Sequence, residues 1–218
     1  MIHRRAAIFA MAAAGLSLAL PRAAMSQGRP IRIVAFGDSL TAGFGLAGTA
    51  AFPAQLERAL TARGYSVVVE NAGVSGDTAS GGASRVDWSV PDGTDAVILE
   101  LGANDMLRGT DPQVTKQALE SIISRLRQRR IEVLLCGMRA MPNLGAAYGR
   151  AFEAIYPELA SKYGLIYYPF FLNNVITRAG LMLNDGLHPN ADGVATIVAN
   201  ILPKVETLVA RVRTRRAA

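Results

Sequence analysis

Three residues far apart in the chain have the types that a nucleophilic hydrolase needs. Ser39 directly follows an apolar run, so its hydroxyl group can stand at the end of a strand as a nucleophile. His188 is the only histidine besides His3, and any mechanism with a histidine base therefore depends on it. Asp185 precedes His188 by three residues, close enough in a tight turn to accept a hydrogen bond from the imidazole and orient it.

Such a hydrolase also needs N–H donors for the negative charge that develops on the substrate oxygen. Asn104 offers a side-chain amide, Gly76 an unobstructed backbone N–H group, and Ser39 its own backbone N–H group. Together they predict a three-donor oxyanion hole. Each residue also has an ordinary structural interpretation, as a helix cap, a turn residue or a satisfied polar group. Three neighbouring acids are interpreted as loop-shaping residues: Asp38, Asp77 and Asp105.

The glycines after Ser39 favour a different function. Gly43, Gly45 and Gly48 match the GxGxxG fingerprint of dinucleotide-binding proteins, and Glu70 lies where an acid could hold a ribose. The fingerprint should begin directly after a strand, whereas Gly43 comes seven residues after Phe36. A nucleotide-binding oxidoreductase therefore stays open as an alternative. So do a deacetylase of an acetylated sugar and a catalytically silent binding protein.

Five short apolar runs predict the strands that must position these residues. The runs are Ile31–Phe36, Ser66–Glu70, Ala96–Leu101, Ile131–Met138 and Leu165–Tyr168. Longer stretches with helical periodicity separate them, and this alternation predicts a parallel sheet covered on both faces in a single domain. Ligands of such sheets bind beyond the carboxyl ends of the strands. All of the candidate residues are expected on that rim, each after a strand, with Asn184–Pro189 following the fifth.

Helix boundaries and loops complete this picture. Asp111 and Pro112 predict the N-cap and first residue of one helix, and Pro189 is expected to open the last helix. Three loops are expected to wall a pocket for a fatty or aryl group: Gly43–Ala51, Asp77–Pro91 and Met141–Tyr148. The residues that make the pocket walls apolar are expected to be Phe44, Met141, Leu144 and Met182.

The first 26 residues have the order of a secretory signal peptide. A short basic start precedes 15 uncharged apolar residues, and small residues suited to cleavage after Ser26 follow. Fifteen residues are short for a bilayer span, so we expect no stable membrane anchor. The protein is therefore expected to be exported, periplasmic or secreted, with one domain over residues 27–218. The Arg4-Arg5 pair leaves the twin-arginine route open.

Composition argues against several classes of partner. The whole chain has a net charge of +6, but without the three arginines of the first 26 residues it has 20 basic and 17 acidic side chains. That balance is not typical of nucleic-acid-binding proteins. Cys136 is the only cysteine, lies in an apolar run and is expected to be buried. No spacing of metal ligands is present, so no metal is expected. A small-molecule ester or thioester is the expected partner, and a monomer is the default.

Four blocks of the sequence, taken in order, resemble the GDSL, or SGNH, hydrolase family. The blocks are Gly37–Leu40, Ser75–Thr78, Gly102–Asp105 and Asp185–Pro189. The chain is especially similar to the exported bacterial acyl-CoA thioesterases, lysophospholipases and arylesterases, although Ala103 stands where close relatives often have glycine. The resemblance implies a three-layer α/β/α, flavodoxin-like fold with a five-stranded parallel sheet and no cofactor. It implies these roles: Ser39 as nucleophile, His188 as base, Asp185 as its orienter, and Ser39, Gly76 and Asn104 as oxyanion donors.

Overall fold

A five-stranded, all-parallel sheet forms the centre of the protein. The computed structural model describes residues 29–218 and orders the strands β2-β1-β3-β4-β5. The strands are β1 (Ile31–Gly37), β2 (Val67–Gly73), β3 (Ala96–Glu100), β4 (Glu132–Cys136) and β5 (Ile166–Tyr168). This order is the flavodoxin-like one, and the predicted fold class is confirmed. The predicted signal peptide lies outside the described residues.

Helices cover both faces of the sheet. They are α1 (Ser39–Ala42), α2 (Phe52–Ala62), α3 (Ala79–Ser89), α4 (Ala103–Leu107), α5 (Pro112–Gln128), α6 (Ala146–Tyr163) and α7 (Ala191–Ala217). Helices α2 and α7 pack together on one face, and α3, α5 and α6 pack on the other. All five residues of β3 are buried, as expected for a strand between two helical layers. Three short 3₁₀ helices lie in the connections: Gly48–Ala50, Pro142–Leu144 and Ala179–Leu181.

The predicted strands are all present, but their bounds differ. Strand β2 continues three residues past Glu70, because Asn71, Ala72 and Gly73 pair in register with the last three residues of β1. Strand β4 is shorter than predicted and ends at Cys136, which is fully buried. An apolar run shows which residues are buried, not which residues form β-sheet hydrogen bonds. The run can therefore extend beyond the ends of the strand.

Helix boundaries were predicted with mixed success. The Asp111 carboxylate does accept from the N–H group of Gln113 and caps α5. The last helix begins at Ala191 rather than at Pro189, since Asn190 is the residue whose side chain caps it. Helix α3 occupies most of a segment predicted as a pocket-wall loop, because its small residues give only a weak apolar periodicity.

Helix α7 is long and apolar enough to cross a membrane by length and composition. Half of its most apolar window is nevertheless buried within the protein. Its apolar face, from Val194 to Val212, lies in the common core, against α2, β4 and β5. These residues therefore belong to one of the two helical layers of the domain.

Candidate active site

Ser39 stands at the carboxyl end of β1, as the first residue of α1. Asp38, not Ser39, caps this helix, because its Oδ1 atom accepts from the N–H group of Leu40 at 3.0 Å. The hydroxyl group of Ser39 is therefore available for another partner. Close packing against β2 also fixes the turn, since a Cβ atom on Gly73 would lie 2.3 Å from the backbone nitrogen of Ala42.

That partner is His188. The Nε2 atom of His188 lies 2.9 Å from Ser39 Oγ, and its Nδ1 atom lies 2.7 Å from Asp185 Oδ2. An ionised carboxylate only accepts hydrogen bonds, so Nδ1 carries the proton and Nε2 accepts from the serine hydroxyl. The structure thus brings all three predicted residues into one hydrogen-bonded chain, in the order that proton removal from Ser39 requires.

A compact turn holds Asp185 and His188 together. Asp185 Oδ1 accepts from the backbone N–H groups of Leu187 at 2.9 Å and His188 at 3.0 Å. The N–H groups of His188 and Leu187, together with the His188 side chain, lower the pKa of Asp185 to about 2. The carboxylate therefore stays ionised at neutral pH and can keep the imidazole in one tautomer.

This turn does not follow β5 directly, contrary to the prediction. Residues 169–184 intervene, and an isolated antiparallel bridge between Met182 and Pro189 closes the turn. The N–H group of Leu183 donates to the carbonyl oxygen of His188 at 2.7 Å within it. The position of His188 at the rim of the sheet thus depends on the long segment 169–184 rather than on the end of a strand.

The three predicted oxyanion donors lie around the same serine. Ser39, Gly76, Asn104 and His188 all line one pocket. Gly76 has a φ angle of 82°, a conformation that glycine adopts without strain. Within the described chain, the backbone N–H groups of Ser39 and Gly76 donate to no protein acceptor. The side-chain nitrogen of Asn104 donates to Asp38 Oδ2 at 3.1 Å and to the carbonyl oxygen of Asp77 at 3.0 Å.

A buried ion pair anchors the loop that carries Gly76. The Nε atom of Arg85, in α3, donates to Asp77 Oδ2 at 2.6 Å, and both side chains are nearly inaccessible. The same guanidinium donates to the carbonyl oxygens of Ala72 and Gly37 at 2.9 Å, at the ends of β2 and β1. It also lies over the ring of Phe36. Asp77 is thus a loop-shaping acid, as predicted, whereas Arg85 escaped the sequence reasoning.

The pocket beside Ser39 has a volume of about 270 Å³ and mostly apolar walls. Its walls include Phe44, Met106, Leu107, Met141, Leu172, Ile176 and Leu187. Phe44 and Met141 were expected there. Leu144 and Met182 are not among its lining residues, and Met182 is buried in the core instead. The pocket therefore suits an apolar group of a ligand that is bound next to Ser39.

The dinucleotide alternative finds no support in this geometry. Gly43 and Gly45 follow α1, and their loop places Phe44 against the imidazole of His188. Glu70, the acid needed for a ribose, is paired with Arg32 at 2.7 Å. Among residues 29–218, no three His, Cys, Asp or Glu side chains come close enough together to hold a metal ion.

Comparison with known proteins identifies the family. Residues 35–196 match the GDSL-like lipase/acylhydrolase family. The chain belongs to this family. It is 38% identical to an arylesterase of Vibrio mimicus over 177 residues, which cover 79% of this chain and 88% of that protein. It is 37% identical to thioesterase 1/protease 1/lysophospholipase L1 of Escherichia coli K12, with 81% and 84% of the two chains covered.

A solved structure gives the same result. The SGNH-hydrolase family esterase AlinE4 is 45% identical, with a TM-score of 0.71, and the match covers 84% of this chain and 98% of that one. The GDSL/SGNH resemblance of the sequence is therefore confirmed. As a member of this family, the protein is a GDSL-type serine ester hydrolase.

Proposed function

We propose that Ser39, His188 and Asp185 carry out ester hydrolysis through an acyl-enzyme. The hydrogen-bonded chain from Ser39 Oγ to Asp185 Oδ2 is the observation that carries this proposal. His188 Nε2 takes the hydroxyl proton while Ser39 Oγ attacks the acyl carbonyl carbon. His188 then returns the proton to the leaving alcohol or thiol. Water, deprotonated by His188, attacks the acyl-serine, and His188 returns that proton to Ser39 Oγ as the acid leaves.

The oxyanion of each tetrahedral intermediate would rest on the N–H groups of Ser39 and Gly76 and on the Asn104 amide. Ser39 and Gly76 line the pocket, and their backbone N–H groups donate to no acceptor in residues 29–218, which supports their availability for this charge. Asn104 must share or exchange one of its two present hydrogen bonds to take part. The carbonyl oxygen of Asp77 holds the Asn104 side chain at the edge of the pocket, and Arg85 in turn holds Asp77.

The substrates we propose are carboxylic esters with an apolar acyl or aryl group, and acyl thioesters. The walls of the pocket support an apolar group on the carbonyl carbon. The names of the relatives, arylesterase and thioesterase/lysophospholipase, support aryl esters, thioesters and lysophospholipids as candidate classes. We further propose that residues 1–26 are removed on export, leaving a monomer in the periplasm or outside the cell.

The first test is hydrolysis of p-nitrophenyl esters over a series of acyl lengths by purified wild type and Ser39→Ala. We expect turnover by the wild type and a loss of about a thousandfold or more in kcat for the variant. Equal activity of both proteins would remove Ser39 from the mechanism. No activity on any chain length would instead favour the silent binding protein.

A further inference from the structure

Glu100, the last residue of β3, is fully buried directly beneath the turn that carries Ser39. Its Oε2 atom accepts from Thr41 Oγ1 at 2.7 Å and lies 3.4 Å from the backbone nitrogen of Asp38. Its Oε1 atom is buried and accepts no hydrogen bond from the described protein. An ionised carboxylate with a bare oxygen is costly to bury, so a proton on this group is favoured.

The contacts of Glu100 lie on both sides of the serine. Asp38 immediately precedes Ser39 and Thr41 follows it by two residues, so a single carboxyl group holds both flanks of the turn. Gly37 leaves room for this arrangement, since a Cβ atom there would lie 2.5 Å from Glu100 Oε2. The side chain therefore occupies a fitted site rather than a loose cavity.

The position of the proton follows from the partners of the two carboxyl groups. Asp38 and Glu100 are neighbouring buried carboxyl groups, since Glu100 Oε2 lies 3.4 Å from the Asp38 backbone nitrogen, and two carboxyl groups can hydrogen-bond to each other only if one of them carries a proton. Asp38 already accepts from the Leu40 N–H group and from Asn104 Nδ2, and both bonds favour its ionised form. Glu100 has an oxygen without a donor, so the proton belongs there.

We propose that Glu100 is a protonated positioning residue, which accepts from the flanks of Ser39 and donates its own O–H group to the Asp38 carboxylate. Asp38 in turn holds the side chain of Asn104. The nucleophile and one oxyanion donor would thus be held by a single buried proton. The inference rests on the proposed role of Ser39 as nucleophile.

The surroundings favour this protonation state. Burial, followed by the negative charge of Asp38, raises the pKa of Glu100 well above its ordinary value. Burial raises the pKa of Asp38 to about 6, so Asp38 is the partner that ionises first. The other titratable groups near the pair are Cys136, which pairs with Glu100 from strand β4, Tyr156 in α6 and His188. The Arg85 guanidinium, at the end of β1, is committed to Asp77 and to carbonyl oxygens.

A pair of substitutions tests the role of the proton. Glu100→Gln keeps an acceptor for Thr41 and places an N–H donor opposite Asp38, so we expect kcat within about threefold of wild type. Glu100→Leu removes both and should lower kcat by about tenfold or more, with a smaller change in KM. A Glu100→Gln variant as impaired as Glu100→Leu would overturn the proposal.

The pH dependence of Tm tests the protonation state of Glu100, while the split between kcat and KM tests its role in catalysis. A group whose pKa is raised on folding contributes stability that is lost as pH rises above its unfolded pKa. The Tm of Glu100→Gln minus that of wild type should therefore increase steadily between about pH 5 and 8. Glu70→Gln, which removes a partly exposed carboxylate at the Arg32 ion pair, is the matched control and should give no such increase. A flat difference for Glu100→Gln would contradict the proposal.

Infrared spectroscopy of the wild-type protein tests the protonation of Glu100 without relying on a Glu100 variant that folds. At pH 8 a folded wild-type protein should show the carbonyl stretch of a protonated carboxyl group, and its absence would sink the idea. Ser39→Ala should retain this band. If the Ser39→Ala protein keeps this band and is still active, Ser39 is not the nucleophile but Glu100 is still protonated. This outcome distinguishes failure of the proposed mechanism from failure of the Glu100 proposal.

Discussion

The ring of Phe44 packs against the imidazole of His188, with the ring centroids 4.4 Å apart and the planes inclined by 33°. Phe44 is about half exposed and lies between Gly43 and Gly45, both of which have positive φ angles. The glycine-rich loop that resembles a nucleotide-binding fingerprint thus places an aromatic ring against His188. The contact limits the rotation of the imidazole on its exposed side.

Replacement of Phe44 should therefore weaken catalysis. We expect Phe44→Ala to lower kcat/KM by about tenfold, since an aromatic contact and part of the pocket wall are lost together. Phe44→Tyr should keep most of the activity. Trp88→Ala, which removes an exposed aromatic side chain in α3, is the control for general effects. Steady-state kinetics on one p-nitrophenyl ester would check this, and wild-type kinetics for Phe44→Ala would contradict it.

Loss of the Asn104 amide should affect the transition state more than substrate binding. We expect Asn104→Ala to lower kcat by about 10²–10³, the usual effect of removing one oxyanion donor. Asn200→Ala, an exposed change in α7, should leave kcat unaltered. Single-turnover and steady-state kinetics would separate the two constants. An unchanged kcat would remove Asn104 from the site.

The Arg85–Asp77 pair should contribute strongly to stability. Arg85→Met leaves the Asp77 carboxylate buried without its cation, and we expect a loss of about 3 kcal/mol in the free energy of unfolding. Removing both charges, with Arg85→Met and Asp77→Asn, should recover part of that loss. Urea denaturation of the four proteins would measure the coupling. Strictly additive losses would show that the pair acts as two separate residues.

Asp95 should make stability depend on pH at the opposite pole of the sheet. Burial alone would raise its pKa, but the hydrogen bonds from Arg216, the Arg32 N–H group and Arg29 outweigh burial and lower it. A group with a lowered pKa contributes stability above its unfolded pKa and loses it as the pH falls. We expect Asp95→Asn to lower the free energy of unfolding by about 2–3 kcal/mol at pH 7.

That difference should shrink as the pH falls below about 4, where Asp95 takes up a proton in the unfolded chain before it does so in the folded protein. Urea denaturation at several pH values would follow it. Asp92→Asn, which removes an exposed carboxylate beside Arg129, is a suitable control and should change little at any pH. A pH-independent difference for Asp95→Asn would argue against the ion cluster as its cause.

Much of the fold could be predicted because buried parallel strands have continuous apolar sequences. The same strands end in short polar blocks, so the positions of Ser39, Gly76 and Asn104 on one rim followed from the strand assignments alone. Asp185 and His188 could be paired with each other by their spacing of three residues. Their approach to Ser39 depends on the path of residues 169–184, for which no local pattern exists.

The missed residues have partners that are distant in sequence. Glu100 bonds to Thr41 across 59 residues and Arg85 to Gly37 across 48, and no periodicity connects such pairs. One signal was available, since Glu100 is a lone acid in an otherwise apolar strand. A charged residue at the end of a buried strand requires a partner, and here the partner is the turn that carries Ser39.

The cluster around Asp95 also brings the two ends of the described chain together. Arg216, near the end of α7, donates to the carbonyl oxygens of Arg29 and Pro30, just before β1. This junction lies at the amino end of β1, about 20 Å along the strand from Ser39. The chain could therefore be circularly permuted across this junction, or attached to a support from either end, with the catalytic pocket left facing free solution.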